Sequence, residues 1–328
     1  MFAGTLNKGF RGALLFLISF FVIGAAFSFF AFKGAEVNRY PDLFYTYFSQ
    51  SIQNRLLITL LNYLFIALGV FLITLIGINQ EIVEKQNYFP VFLYLIISMA
   101  CIQPDAVNAQ LFTNIFILFF IYKLLDSYRN EESFNRIFIA AFWISFSAFL
   151  TVSSISCFPL FFITLIILRS FSWREWAVAL LGFLSPVFII ECIAYLSDFE
   201  RWYFIKAVYS YFSALKFPSF SEYYLPLTII LVILLLLSLF SFVVNGLGNT
   251  VKKQRAKSVI FWYIFLCTPV FFAGQTSITR VLLTYAFPFS FFIGDFLFGI
   301  KQIKITNTLL VLLFACLIII FLGQYRVI

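Results

Sequence analysis

The sequence predicts an all-helical bundle that lies in a lipid bilayer and crosses it about eleven times. Three observations carry that reading. Of the 328 residues, 63% are hydrophobic and 11% charged, with a mean hydropathy of +1.01, which leaves too little polar surface to cover a core of this size in water. The apolar residues fall in long runs such as Leu225–Val244, LPLTIILVILLLLSLFSFVV, and about 20 such residues are what a helix needs to cross the ~30 Å hydrocarbon layer. These runs are apolar all round, whereas a transmembrane barrel strand alternates apolar and polar residues.

The expected spans are 12–32, 56–77, 88–102, 107–125, 137–151, 155–168, 177–197, 225–246, 259–273, 281–299 and 305–322. The first follows Lys8 and Arg11 as in a signal peptide, but it is too long and no A-x-A cleavage site follows, so it stays attached as a helix. The second and fourth are ordinary long runs. Span 88–102 and the two halves of 137–168 are short against the usual ~20 residues, and charge counting decides how often they cross. With a cytoplasmic N-terminus, inside loops hold Lys8, Arg11, Lys85, Lys123, Arg129, Arg136, Arg169, Arg174, Lys252, Lys253, Arg255, Lys257, Lys301 and Lys304, fourteen of the 22 cations. Outside are the other eight, Lys33, Arg39, Arg55, Arg201, Lys206, Lys216, Arg280 and Arg326. A single crossing of 137–168 would even the count at eleven against eleven and erase the positive-inside bias, so two crossings are expected. Span 177–197 carries Pro186 and Glu191, span 259–273 follows the basic cluster Lys252–Lys257, and span 281–299 opens after Thr279 and Arg280 and carries Thr284 and Pro288. The last span leaves the C-terminus outside.

The whole chain, 1–328, reads as one integral-membrane domain in a bacterial inner membrane, with external pieces at 33–55 and 198–224. The second piece reads as a helix lying on the membrane. Ser197 and Glu200 fit a capping box, Trp202, Ile205, Tyr209 and Phe212 share one face, and Lys206, Ser210, Ser213 and Lys216 make a polar stripe. The net charge of +8 is accounted for by basic loops beside anionic lipid, so the bilayer is the expected partner and nucleic acid is not.

The chain has no histidine, which removes the Ser-His-Asp arrangement and any imidazole-bound metal site. Cys101, Cys157, Cys192, Cys267 and Cys316 stand singly in apolar runs, and without a Cys-x-x-Cys pair they read as small packing residues rather than a zinc or redox centre. No metal and no resident cofactor is expected. No phosphate loop or dinucleotide fingerprint is present, and no convincing repeat of the kind transporters show relates the two halves. Intramembrane ions mark function or packing; Glu191 and Arg280 sit at similar predicted depth and could pair, as a working site or as a structural ion pair.

The stretch Asp105–Phe188, especially LFTNIFILFFIYKLLDSYRNEESFNRIFIAAFWISFSAFL and the later LRSFSWREWAVALLGFLSPVF, resembles an uncharacterised family of multi-pass inner-membrane proteins of Bacteroidota. That resemblance runs through most of the chain and brings no activity with it. A more distant likeness is to the C-type fold of glycosyltransferases that use polyprenyl-phosphate sugars, in which an acid stands in the first external loop and a second in a later external turn. NRYPDLFYTYF puts Asp42 in the first loop, and CIQPDAVNAQLFTNIFILFFIYKLL puts Asp105 at the start of the fourth span. The loop lacks a second acid beside Asp42, and no large external domain is present.

On that resemblance Asp42 is the base, Glu36 or Asp105 helps to position the acceptor, and Arg201, Lys206 and Arg280 face the lipid phosphate, with Arg39 or Arg55 as substitutes. Such a transfer needs a carboxylate for the acceptor hydroxyl and cations for the departing phosphate. Pro41–Asp42 also reads as a helix start. Three function classes follow: a glycosyltransferase-like enzyme, or a degenerate relative of one, handling polyprenyl-phosphate sugars in envelope glycan assembly; a non-catalytic scaffold with membrane-protein partners in an envelope complex; and a small-solute or lipid carrier resting on Glu191 and Arg280.

Overall fold

The computed structural model of the protein describes residues 17–19, 21, 22, 24, 54–84, 87–102, 107–128, 133–168, 172–196, 203–213, 222–245, 250–268, 277–300 and 302–324. Its helices are α1 (Arg55–Asn79), α2 (Phe89–Ala100), α3 (Ala109–Asp126), α4 (Ser133–Leu150), α5 (Pro159–Leu168), α6 (Trp173–Leu196), α7 (Tyr203–Ser213), α8 (Leu225–Asn245), α9 (Val251–Leu266), α10 (Ile278–Gly299) and α11 (Ile303–Gln324). Short 3-10 turns, Val152–Cys157 and Glu222–Tyr224, precede α5 and α8. Among the described residues no β-strand occurs.

Seven of these helices, α1, α3, α4, α6, α8, α10 and α11, are long and apolar enough to cross a membrane, fewer than the eleven crossings that the sequence predicts. The expected first span, 12–32, falls largely outside the described residues. Span 88–102 becomes α2, with 12 residues, about 18 Å long at 1.5 Å per residue and well short of the hydrocarbon layer. Span 155–168 becomes a 3-10 turn and the 10-residue α5. Span 259–273 becomes α9, which has 16 residues and starts among the basic cluster.

Burial sorts the helices into centre and rim. Every residue of α2 is buried, and α10 is mostly buried, whereas little of α6 is. Phe188 and Leu196 on α6, with Phe240 and Val243 on α8, therefore offer apolar surface outward, as lipid-facing helices do. Small residues allow the close packing in the centre. A Cβ on Gly294 of α10 would lie 2.6 Å from the ring of Pro90 and 2.7 Å from its backbone nitrogen.

Local chemistry sets the helix ends. Asn54 accepts the Leu56 N–H at 3.1 Å to start α1, Asn108 accepts the Gln110 N–H at 3.0 Å to start α3, and Thr250 and Ser277 cap α9 and α10. The last carbonyl of three helices is met by a cation from another part of the chain. Lys252 donates to Asn79 of α1 at 2.9 Å, Arg136 to Asp126 of α3 at 3.0 Å, and Arg255 to Leu168 of α5 at 3.1 Å. All these ends thus lie on one basic face, where the negative ends of the helix dipoles favour positive charge.

Arg255 also stacks over the ring of Tyr128 at 5.1 Å. One guanidinium reaches both Tyr128 and Leu168, so the chain between them leaves the basic face and returns to it. At the opposite face Asn108 donates its backbone N–H to Asn62 at 2.9 Å, and Tyr224 donates to Ala100 O at 3.0 Å.

Two prolines interrupt α6 and α10, and a hydroxyl compensates each. Pro186 cannot bond to Gly182 O, and Ser185 Oγ donates to that carbonyl at 3.0 Å. Pro288 cannot bond to Thr284 O, which accepts instead from Tyr263 OH of α9 at 3.2 Å. Each freed carbonyl is thereby satisfied inside the protein.

Gly294→Ala should destabilise the protein by about 1–3 kcal/mol through overpacking, read as a lower unfolding midpoint in detergent. Gly299→Ala, at a site with nothing within 4 Å of the added Cβ, should leave the midpoint in place. Equal midpoints for the two variants would contradict the close approach of α2 and α10.

Candidate functional site: a buried polar seam

The candidate site starts where regular helix fails. Cys101 and Ile102 after α2, and Val107 and Asn108 before α3, are buried inside the bundle, and polar groups find partners there. Asn108 Nδ2 donates to Cys101 O at 3.0 Å. On α3, Gln110 Nε2 donates to Asn114 Oδ1 at 3.2 Å, and Asn114 Nδ2 donates to Leu283 O of α10 at 2.8 Å. The second irregular segment, Thr151–Cys157, meets the same part of α3: Thr151 Oγ1 donates to Thr113 Oγ1 at 3.2 Å and lies 2.9 Å from Ser154 Oγ.

Asn62, Thr113 and Thr151 are fully buried here, and Gln110, Ser153 and Ser154 nearly so. A concentration of amides and hydroxyls is unusual inside an apolar bundle, where polar groups are expensive unless bonded. Gln110 Oε1, Ser153 Oγ and Ser156 Oγ are buried without a hydrogen-bond partner among the described residues. The seam therefore retains capacity to accept and donate hydrogen bonds.

Arg280 stands at the level of this seam. Leu283, which meets Asn114, lies one turn further along α10, and Gln110 lies one turn before Asn114 on α3. Both helices start at this face, so Arg280 and Gln110 are at matching depth. Arg280 is 8% exposed. Its backbone N–H donates to Ser277 Oγ at 3.4 Å.

The other residues singled out from sequence fare differently. Asp42, Glu36, Arg39, Asp105 and Arg201 lie outside the described residues. Arg55 opens α1 at the face opposite the basic one. Lys206 is exposed on α7, beside exposed Ile205 and Tyr209, while Phe204 is the buried anchor of that helix. Glu191 Oε1 accepts the Phe204 N–H at 3.1 Å. The physical reason is that the first turn of α7 carries N–H groups with no intrahelical acceptor, and the carboxylate satisfies one of them.

Two further groupings were not legible in the sequence. Cys157 and Cys267, 110 residues apart, bring their Sγ atoms to 3.1 Å, so these two are not isolated thiols. Asp295 bonds Lys257 and lies 3.6 Å from Lys253. Burial pulls the Lys257 ammonium below its ordinary range and Asp295 opposes that shift. Among the described residues no cluster of three or more His, Cys, Asp or Glu could hold a metal.

The profile of a family of unknown function, DUF6427, matches residues 42–327. The chain belongs to this family. Neither a curated protein nor a solved structure matches it. The matched region contains both irregular segments and Arg280. Its neutral polar residues could have been noticed in sequence as amides inside spans, Asn62 in 56–77 and Gln110 and Asn114 in 107–125, though not their convergence.

Oxidation of the detergent-solubilised protein with copper–phenanthroline should join Cys157 to Cys267, detected as a linked peptide by mass spectrometry. Separate alkylation of both thiols with no linked peptide would contradict the packing of the 3-10 segment against the end of α9.

Proposed function

We propose that this DUF6427 protein is a membrane-embedded, glycosyltransferase-like enzyme that takes a polyprenyl-phosphate-linked sugar at the face opposite its basic one. The observation that carries the reading is a buried arginine, Arg280, level with a buried seam of amides and hydroxyls that has hydrogen-bonding capacity left over. A guanidinium suits a phosphate, to which it offers paired donors. Amide and hydroxyl groups suit a saccharide. Apolar helix faces, such as that of α6, suit the polyprenyl chain.

By the positive-inside rule the basic face belongs in the cytoplasm and the seam on the external side of an inner membrane, with the N-terminus inside and the C-terminus outside. Asp42 is assigned as general base for the acceptor, with Glu36 or Asp105 orienting it. The support for this is positional in the chain: Asn54 and Asn108, which follow these acids, begin α1 and α3 at the face of Arg280. Lys206 and Arg201, with Arg39 or Arg55, would draw the lipid phosphate to the mouth of the site by charge.

Mass spectrometry of lipids that co-purify with the protein should find a polyprenyl phosphate or its sugar conjugate, and Arg280→Gln should lose it. Asp42→Asn should retain the lipid while the cell's glycan product falls by about 10²–10⁴-fold, the usual contribution of a general base. Unchanged product in a folded Asp42→Asn protein would remove the catalytic assignment. Bulk phospholipid alone, together with stoichiometric protein partners, would favour a scaffold.

A further inference from the structure

We propose that the cleft between α8, α9 and α10 at the basic face is a binding site for the phosphodiester head of an anionic phospholipid. The site is independent of the transfer reading and lies at the other end of the bundle. Its cavity is about 260 Å³, half-enclosed, and lined by Ser238, Ser241 and Phe242 of α8, Lys257 of α9, and Phe292 and Asp295 of α10. That volume falls below the usual range for sites that engulf a whole drug-sized molecule, about 300–1,000 Å³, and fits a head group.

The charge balance specifies the ligand. Lys257 is 6% exposed and bonds Asp295, while Lys253 lies 3.6 Å from the other oxygen of the same carboxylate. Two ammonium groups thus share one carboxylate, leaving a single positive charge at the wall of a semi-buried cleft, where an uncompensated charge is costly. A phosphodiester carries one negative charge and closes the balance. A zwitterionic head brings its own cation and does not.

The walls favour a lipid-borne phosphate over a soluble one. Lys257 Nζ lies 5.8 Å from the centre of the Phe242 ring, so the cation is held between a carboxylate and an aromatic face. Phe292, Phe296 and Ile300 form more of the lining, an apolar wall against which the start of an acyl chain can lie. Basic pockets between transmembrane helices on the cytoplasmic side recognise anionic lipid heads by this chemistry. Gly299 lines the same cleft and has nothing within 4 Å of an added Cβ, so a larger side chain there projects into open space rather than into a wall.

Native mass spectrometry of the full-length protein in detergent, titrated with phosphatidylglycerol, phosphatidylcholine or inorganic phosphate, tests the assignment. Phosphatidylglycerol should bind at least about fivefold more tightly than phosphatidylcholine, and millimolar inorganic phosphate should not displace it. Lys253→Gln should weaken phosphatidylglycerol about fivefold, as loss of one interfacial cation does. Asp295→Asn should strengthen it by a similar factor, an increase that a purely structural role for the ion pair does not produce. Gly299→Leu should abolish binding with the unfolding midpoint unchanged. Equal binding of the two lipids, or undiminished binding in Gly299→Leu, would overturn the proposal, and displacement by inorganic phosphate would overturn the lipid source.

Discussion

A bilayer offers no hydrogen bonds to a backbone, so every carbonyl freed by a proline, a short helix or a helix end has to be met from within the protein. Much of the described polar chemistry meets that requirement. Ser185 and Tyr263 satisfy the carbonyls released by Pro186 and Pro288, and Tyr224 and Asn108 Nδ2 satisfy Ala100 and Cys101 where α2 stops. Asn87 Nδ2 donates to Gly294 O at 3.3 Å beside the approach of Gly294 to Pro90. At the basic face Lys252, Arg136 and Arg255 perform the same task for α1, α3 and α5. The cations that orient the chain in a membrane thus also finish its helices.

The two faces differ because their irregular segments differ. At the basic face the helices end in charge, and the surplus over acids leaves Lys253 and Lys257 sharing Asp295. At the other face α2 stops short and Thr151–Cys157 winds as a 3-10 turn, so neutral amides and hydroxyls are drawn inside around the start of α3. The first arrangement suits small anions at a membrane surface. The second leaves buried hydrogen-bonding capacity at the level of Arg280.

Much of this fold was legible in the sequence. Hydropathy alone places a helix at most of the expected spans. The number of full crossings was not legible, because a short apolar run such as 88–102 looks the same whether lipid or protein surrounds it, and α2 is surrounded by protein on all sides. Pairings across the bundle were hidden for a different reason. Cys157 with Cys267, Lys257 with Asp295 and Asn114 with Leu283 depend on helix neighbours that hydropathy does not order. The bond from the Phe204 N–H to Glu191 is of the same kind, because an orphan N–H at the start of α7 finds a carboxylate on α6 that hydropathy does not place beside it. Arg280 was visible as an intramembrane charge, whereas the seam at its level consists of neutral residues that a search for ions passes over.

The most direct test of the account is a cryo-electron-microscopy reconstruction of the protein in lipid nanodiscs, at a resolution that shows ordered ligand and water. The account predicts non-protein density within hydrogen-bonding distance of Gln110 Oε1 and Ser153 Oγ, continuing toward Arg280. A seam in which these atoms bond only to other protein groups, with Arg280 turned out of the bundle, would contradict it.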